Sequence, residues 1–133
     1  MNLDEQLRIL SIFHYVVGGL HALFGSFGLI HFFIGISMIL DPSLWASGAE
    51  APPAWFGLFF ALFGGAFVLF GWALGFVTIL SGRYIARRKH RIFSIVIGAI
   101  NCAMMPIGTV LGVFDIILLT KDETRRDYES AGR

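Results

Sequence analysis

Nine positions, Arg83-Tyr84-Ile85-Ala86-Arg87-Arg88-Lys89-His90-Arg91, hold five of the chain's ten basic residues, with long apolar stretches on both sides. From Ile9 to Gly82 there is no Lys or Arg at all. Positive charge clustered between hydrophobic spans orients a membrane protein, because basic loops stay on the cytoplasmic side. Arg83, Arg87, Arg88, Lys89 and Arg91 are therefore expected to set the topology and to attract anionic lipid headgroups. Composition points the same way: 56% of the residues are hydrophobic and only 14% charged, too few to cover a water-exposed surface. A chain of 133 residues has room for one domain. The expectation is a single integral membrane domain over residues 1–133, all-α, a transmembrane bundle of four helices.

Asn2 to Arg8 reads as a capped helix start, with Asp4 and Glu5 in the first turn where the helix dipole favours acids. Those acids, and the length of the apolar run after them, argue against a cleavable signal peptide. Ile9 to Leu40 is uncharged for 32 residues. That is about 48 Å of helix against a bilayer core of about 30 Å, so it tilts or bends, with Gly18-Gly19 and Gly25 as natural bending points. Asp41-Pro42 ends it. The following loop carries no basic residue and has Trp45 and Trp55 at its margins, the character of an outside loop. Trp55 to Leu80 is the second span, with Gly57, Gly64, Gly71 and Gly75 forming a seam where another backbone can approach.

Ile92 to Thr120 is apolar but interrupted at Met105-Pro106-Ile107-Gly108-Thr109. One kinked span would give three spans and an outside tail. Two short helices turning at Pro106 would give a hairpin, four helices, and both termini in the cytoplasm. The tail's Lys121, Arg125, Arg126 and Arg133 favour the second arrangement, since the orientation rule counts basic residues and not net charge. The expected helices are about 7–40, 54–81, 88–105 and 107–127, the last continuing into the charged tail.

Leu7-Arg8-Ile9-Leu10-Ser11-Ile12-Phe13-His14-Tyr15-Val16-Val17-Gly18-Gly19 resembles the opening of a group of small uncharacterised bacterial four-helix inner-membrane proteins. Met105-Pro106-Ile107-Gly108-Thr109-Val110-Leu111-Gly112-Val113-Phe114 is similar to that group's C-terminal hairpin. The resemblance covers most of the chain and implies a bacterial inner-membrane setting, multi-pass with cytoplasmic termini, and no assigned activity. In that group the position of Asp115 is usually uncharged, so Asp115 marks this chain out.

Two constellations could carry chemistry. On a helical wheel, Gly18, His21, Gly25 and Gly28 fall within about 40° of His14, while His31 lies about 100° away. A stripe of imidazoles beside bare backbone admits haem with axial His14, His21 or His31. His14 and His21 are about 10.5 Å apart along the axis, so one iron would need a histidine from a second protomer. The plain alternative is histidines packed in a glycine seam and hydrogen-bonded to Ser, Asn or backbone.

The other constellation is Gly108 and Gly112, a GxxxG, with Asp115 within about 20° of Gly108 on the same packing face. A carboxylate there is costly unless it is neutral, paired or wet. Its readings are interfacial water, given only six residues to Lys121, or a partner among His14, His21 and Arg8.

Nothing else rises to a motif. There is no phosphate loop, strained nucleophile elbow or paired carboxylates within one span, so no enzyme activity is expected. Cys102 alone excludes an intramolecular disulfide. The basic loop lacks the interleaved aromatics of a nucleic-acid platform, so no nucleic-acid partner is expected. Three functions stay open. The first is a structural or accessory membrane protein, packing through Gly18, Gly25, Gly57, Gly64, Gly71, Gly75, Gly108 and Gly112 against itself or a larger complex. The second is a small proton- or cation-coupled transporter or channel using Asp115 with His14 and His21. The third is a redox protein with haem between protomers.

Overall fold

A computed structural model describes residues 2–46, 48 and 50–132; Arg133, counted above in the basic tail, lies outside them. Among the described residues there are helices and connections and no strand. Helix α1 (Leu3–Ser26) opens on a reciprocal cap: the Glu5 amide donates to Asn2 Oδ1 at 2.9 Å and the Asn2 amide to Glu5 Oε2 at 3.1 Å. Each bond satisfies a donor that a helix start leaves free.

Helix α2 (Gly28–Leu40) follows after Phe27 alone. At this junction the Phe27 amide bonds Phe24 O at 3.1 Å and the Ile30 amide bonds Phe27 O at 3.2 Å, tighter steps than an α-helix takes. Ser26 Oγ also donates back to Ala22 O at 2.8 Å, a contact that bends helices. The break thus falls just past Gly25 and not at Gly18-Gly19. Gly18 and Gly25 are committed to close approach, each lying against the backbone of the next long helix.

That helix, α3 (Ala54–Ala86), runs beyond the expected 81 and through Arg83. Helix α4 (Arg91–Cys102) begins later than the expected 88, because Arg88 and His90 adopt left-handed backbone with φ of 53° and 49°. Residues expected as one helix over 107–127 form two, α5 (Ile107–Leu119) and α6 (Asp122–Ala131). The break is stabilised by side chains that take over the last carbonyls of α5. Arg91 Nη1 donates to Leu119 O and Thr124 Oγ1 to Leu118 O, both at 2.8 Å. Residues 91–119 are therefore two helices packed side by side, with Ala103 to Pro106 between them.

The chain packs as two units, His21–Leu74 and Met1–Leu20 with Gly75–Arg133. In His21–Leu74, glycine meets glycine along two antiparallel stretches. A Cβ on Gly25 would lie 2.8 Å from Gly71 Cα, one on Gly28 2.6 Å from Gly64 O, and one on Gly57 3.0 Å from Gly35 O. Only residues without side chains allow this approach. Trp72 Nε1 donates to Ser26 Oγ at 3.0 Å, and Trp45 Nε1 to Ser37 Oγ at 3.1 Å.

In the other unit the core contains Leu7, Leu10, Val17, Ile85, Leu111, Leu119 and Tyr128. Two helical runs, Leu3–Leu40 and Ala54–Ala86, are long and apolar enough to cross a membrane. Only 22% and 28% of their most apolar stretches are buried inside the protein, whereas the core helix of a water-soluble fold would be mostly covered.

Candidate functional site: a buried histidine–aspartate pair

Helix α1 brings Ser11 and His14 to the inner face that also carries Leu7 and Leu10. Ser11 Oγ donates to Gly82 O on α3 at 2.8 Å. Gly82 makes that approach possible, since a Cβ there would stand 2.6 Å from His14 Cβ. From the other side, α5 turns Gly108, Gly112 and Asp115 inward against α4. Gly98 of α4 leaves the space for the carboxylate: a Cβ at Gly98 would meet Asp115 Cβ at 2.6 Å and its Oδ2 at 2.7 Å. His14 Nε2 and Asp115 Oδ2 come to 3.0 Å, and both side chains have 0% exposure.

The 3.0 Å contact and the partner of Nδ1 limit what this pair can hold. His14 Nδ1 lies 2.9 Å from Leu10 O, a carbonyl that can only accept, so Nδ1 carries a hydrogen. Nε2 then faces a carboxyl oxygen in a dry interior. A bare lone pair against a carboxylate would set two acceptors and an uncompensated charge together, which burial makes expensive. One proton between them removes the conflict in either of two forms: an imidazolium beside a carboxylate, or a neutral imidazole accepting from a carboxylic acid. Both forms leave the pair neutral overall, the condition under which an ionisable residue tolerates a low-dielectric site.

Around the pair the same unit buries further polar groups. Thr78 and Ser81 of α3, Ser94 and Asn101 of α4 and Thr124 of α6 all have 0% exposure. Asn101 Nδ2 donates to Thr78 Oγ1 at 3.2 Å and to Ile97 O at 2.9 Å. Ser81 Oγ, Ser94 Oγ, Asn101 Oδ1 and Asp115 Oδ1 have no hydrogen-bond partner among the described residues. Buried polar atoms are normally bonded, so these offer capacity to a small polar species.

At the end of this unit that carries the chain's charges, Arg88 fastens three segments. Its Nη2 meets Asp4 Oδ1 and its Nε meets Asp127 Oδ2, both at 2.6 Å. Beside it, the Tyr128 phenol is pushed up to about 12, mainly by burial, with Asp127 and Asp115 adding to the shift and Arg88 and Arg91 opposing it.

The remaining candidates sit elsewhere. His21 belongs to the other unit and has a buried Nδ1 without a hydrogen-bond partner among the described residues. His31 is exposed, stacked on Phe60 with ring centroids 5.8 Å apart and edge-on to Phe63 at 6.1 Å. Arg8 is exposed and makes no ion pair with Asp115, and the carboxylate reaches no interfacial water because it is fully covered. Both ring nitrogens of His14 are engaged, so it has none free for an iron.

The glycine faces, read as surfaces for another backbone, meet backbone of this same chain. Gly18 lies against Gly75, Gly25 against Gly71, Gly57 against Gly35, Gly64 against Gly28, Gly108 against Asn101 and Gly112 against Gly98. Among the basic cluster, Arg88 and Arg91 have structural partners, Arg83 and Arg87 are exposed, and Lys89 is exposed on the loop.

Sequence reasoning missed Gly82 and Gly98, which make room for the pair, and Asp127 and Tyr128, which sit around Arg88. Gly75, Thr78, Ser81 and Gly82 fall at helical spacing on one face of α3, a small-and-polar stripe that was a readable signal. Compared with known protein families, curated proteins and solved structures, the chain matches none.

Proposed function

We propose that this is a multi-pass integral membrane protein of the bacterial inner membrane that takes up and releases a proton at the His14–Asp115 pair. It would act as a small proton- or cation-coupled pathway. The carrying observation is the 3.0 Å approach of His14 Nε2 to Asp115 Oδ2 at zero exposure. Intramembrane ionisable groups are costly and mark ion or proton routes by default. The unpartnered oxygens of Ser81, Ser94 and Asn101 in the same unit supply acceptors along such a route.

Four helical segments lie in the bilayer on this reading: the Leu3–Leu40 run, α3, α4 and α5. At 12 and 13 residues, α4 and α5 are only about 18 and 20 Å long. They enter as a hairpin from the cytoplasmic side and return to it, leaving both termini with the basic loop. The hairpin tip is apolar, with Met105 83% exposed, and its backbone is hydrogen-bonded locally by the Met104 amide to Asn101 O at 2.8 Å. Both features suit a turn within or at the edge of the hydrocarbon.

An accessory role, with self-association or a larger membrane complex as partner, is the second reading. The exposed apolar flanks favour it, for instance Leu69 at 70% and Phe76 at 67%, which would be the contact surface because the glycine faces are occupied internally.

Proteoliposomes carrying a pH dye test the first reading. A potassium diffusion potential should drive proton entry with the wild type, and Asp115→Asn should reduce entry to that of empty liposomes. Equal flux in the two proteins, or none in either, would leave the proton reading without support.

A further inference from the structure

The residues between α3 and α4, with the start of α4 and residues of α6, border an open recess of about 560 Å³. Its wall carries Arg88, Lys89, His90, Arg91 and Arg125, with Ile92 and Phe93 at the start of α4 and Tyr128 on α6. Among the described residues, the only carboxylate in the wall is that of Glu129, 3.6 Å from Arg125. Arg88 is neutralised by Asp4 and Asp127. Lys89 and Arg91, by contrast, meet no carboxylate among the described residues, so positive charge stays uncompensated inside a concave surface.

A second observation is independent of charge. Tyr128 lines the recess, is only 8% exposed, and has a buried hydroxyl with no hydrogen-bond partner among the described residues. With its phenol pushed up to about 12, it remains an O–H donor at any physiological pH. Two cations without a carboxylate partner and a neutral donor, all on residues that line one hollow, match an oxyanion with several acceptor oxygens.

We infer that this recess binds the phosphate of an anionic phospholipid headgroup. Lys89 and Arg91 supply charge and Tyr128 a hydrogen bond. The phosphate chemistry could equally come from a soluble phosphate ester. The lipid source is favoured by the apolar rim: Ile92 is 73% exposed immediately beside Arg91, where a glycerol backbone and acyl chains would emerge. This inference rests on the membrane reading but not on the proton reading, and the two fail separately.

Native mass spectrometry of the full chain, released from nanodiscs of phosphatidylcholine with phosphatidylglycerol, provides the test. The wild type should retain phosphatidylglycerol in preference to phosphatidylcholine. Lys89→Gln should weaken retention by about fivefold, the value of roughly one surface charge against an anionic headgroup. Tyr128→Phe should weaken it severalfold, and Asp115→Asn, outside the recess, should leave it unchanged. Lys89 is exposed and its replacement leaves the core untouched, so loss of folding does not confuse the result. Equal retention of the two lipids, or retention unaffected by both Lys89→Gln and Tyr128→Phe, would overturn the site. Displacement of the lipid by glycerol phosphate at comparable concentration would overturn the lipid assignment in favour of a soluble ester.

Discussion

The two units solve the same packing problem in opposite ways. In His21–Leu74 the helices touch through glycine backbone, with Gly25, Gly28 and Gly35 meeting Gly71, Gly64 and Gly57, and the contact is apolar. In the unit formed by residues 1–20 and 75–133, glycines again bring helices close, but Gly82 and Gly98 do so to house His14 and Asp115. The first arrangement gains dispersion and asks for nothing more. The second buries two ionisable groups and survives only while they neutralise each other. Close approach is thus a common device, serving cohesion in one unit and the burial of an ionisable pair in the other.

The largest effect should come from breaking the cohesive seam. Gly28→Leu places a Cβ 2.6 Å from Gly64 O, which is backbone and cannot move aside. A loss of about 3 kcal/mol is expected in reversible unfolding in bicelles, the upper range for overpacking. Gly19→Leu is the control, because no atom lies within 4 Å of a Cβ there, and it should unfold like the wild type. Equal effects of the two would mean the seam is not tight.

Next comes the polar unit. Asp115→Ala strands His14 Nε2 and should cost about 2 kcal/mol, below the figure for soluble proteins because the reference state in lipid also finds partners. Adding His14→Ala should then cost less than it does alone, and strictly additive losses in this double-mutant cycle would deny the coupling.

Arg88→Ala removes two ion pairs at 2.6 Å on a side chain that is 18% exposed. Asp4 is itself 82% exposed, so the sum should be about 1 kcal/mol and should shrink in high salt. An unchanged unfolding midpoint would remove the staple.

The smallest effect is a pH dependence. Tyr128 moves from the ordinary value of 10.0 to about 12 on folding, so its protonated form is favoured by the fold. Its contribution is fully present below pH 10 and is lost as pH rises toward about 12. Tyr128→Phe should flatten this alkaline decline, and an identical decline in both proteins would contradict it.

Much of the helical order was legible because the charge pattern is so uneven. Residues 9–40 and 55–80 could hardly be anything but apolar helices, and Pro106 with its neighbours marked the turn between α4 and α5. What escaped was set by side chains reaching across the fold. The end of α5 depends on Arg91 and Thr124 reaching the carbonyls of Leu119 and Leu118, contacts no local pattern encodes. The late start of α4 depends on left-handed backbone at Arg88 and His90, a conformation uncommon for any residue but glycine. In the site, the face of Asp115 could be read from its spacing to Gly108, and His14 stood among its possible partners. The choice of His14 over His21 and Arg8 depended on Gly82 and Gly98, whose role appears only when the helices are brought together.

Infrared spectroscopy of the reconstituted protein across a pH titration tests most directly whether His14 and Asp115 share a proton. Asp115→Asn should remove one carboxyl signal and, in the same sample, shift the imidazole bands of His14, while His14→Gln should move that carboxyl signal in return. If the two residues titrate without regard to one another, with each variant leaving the other's bands where they were, the pair does not hold a proton in common.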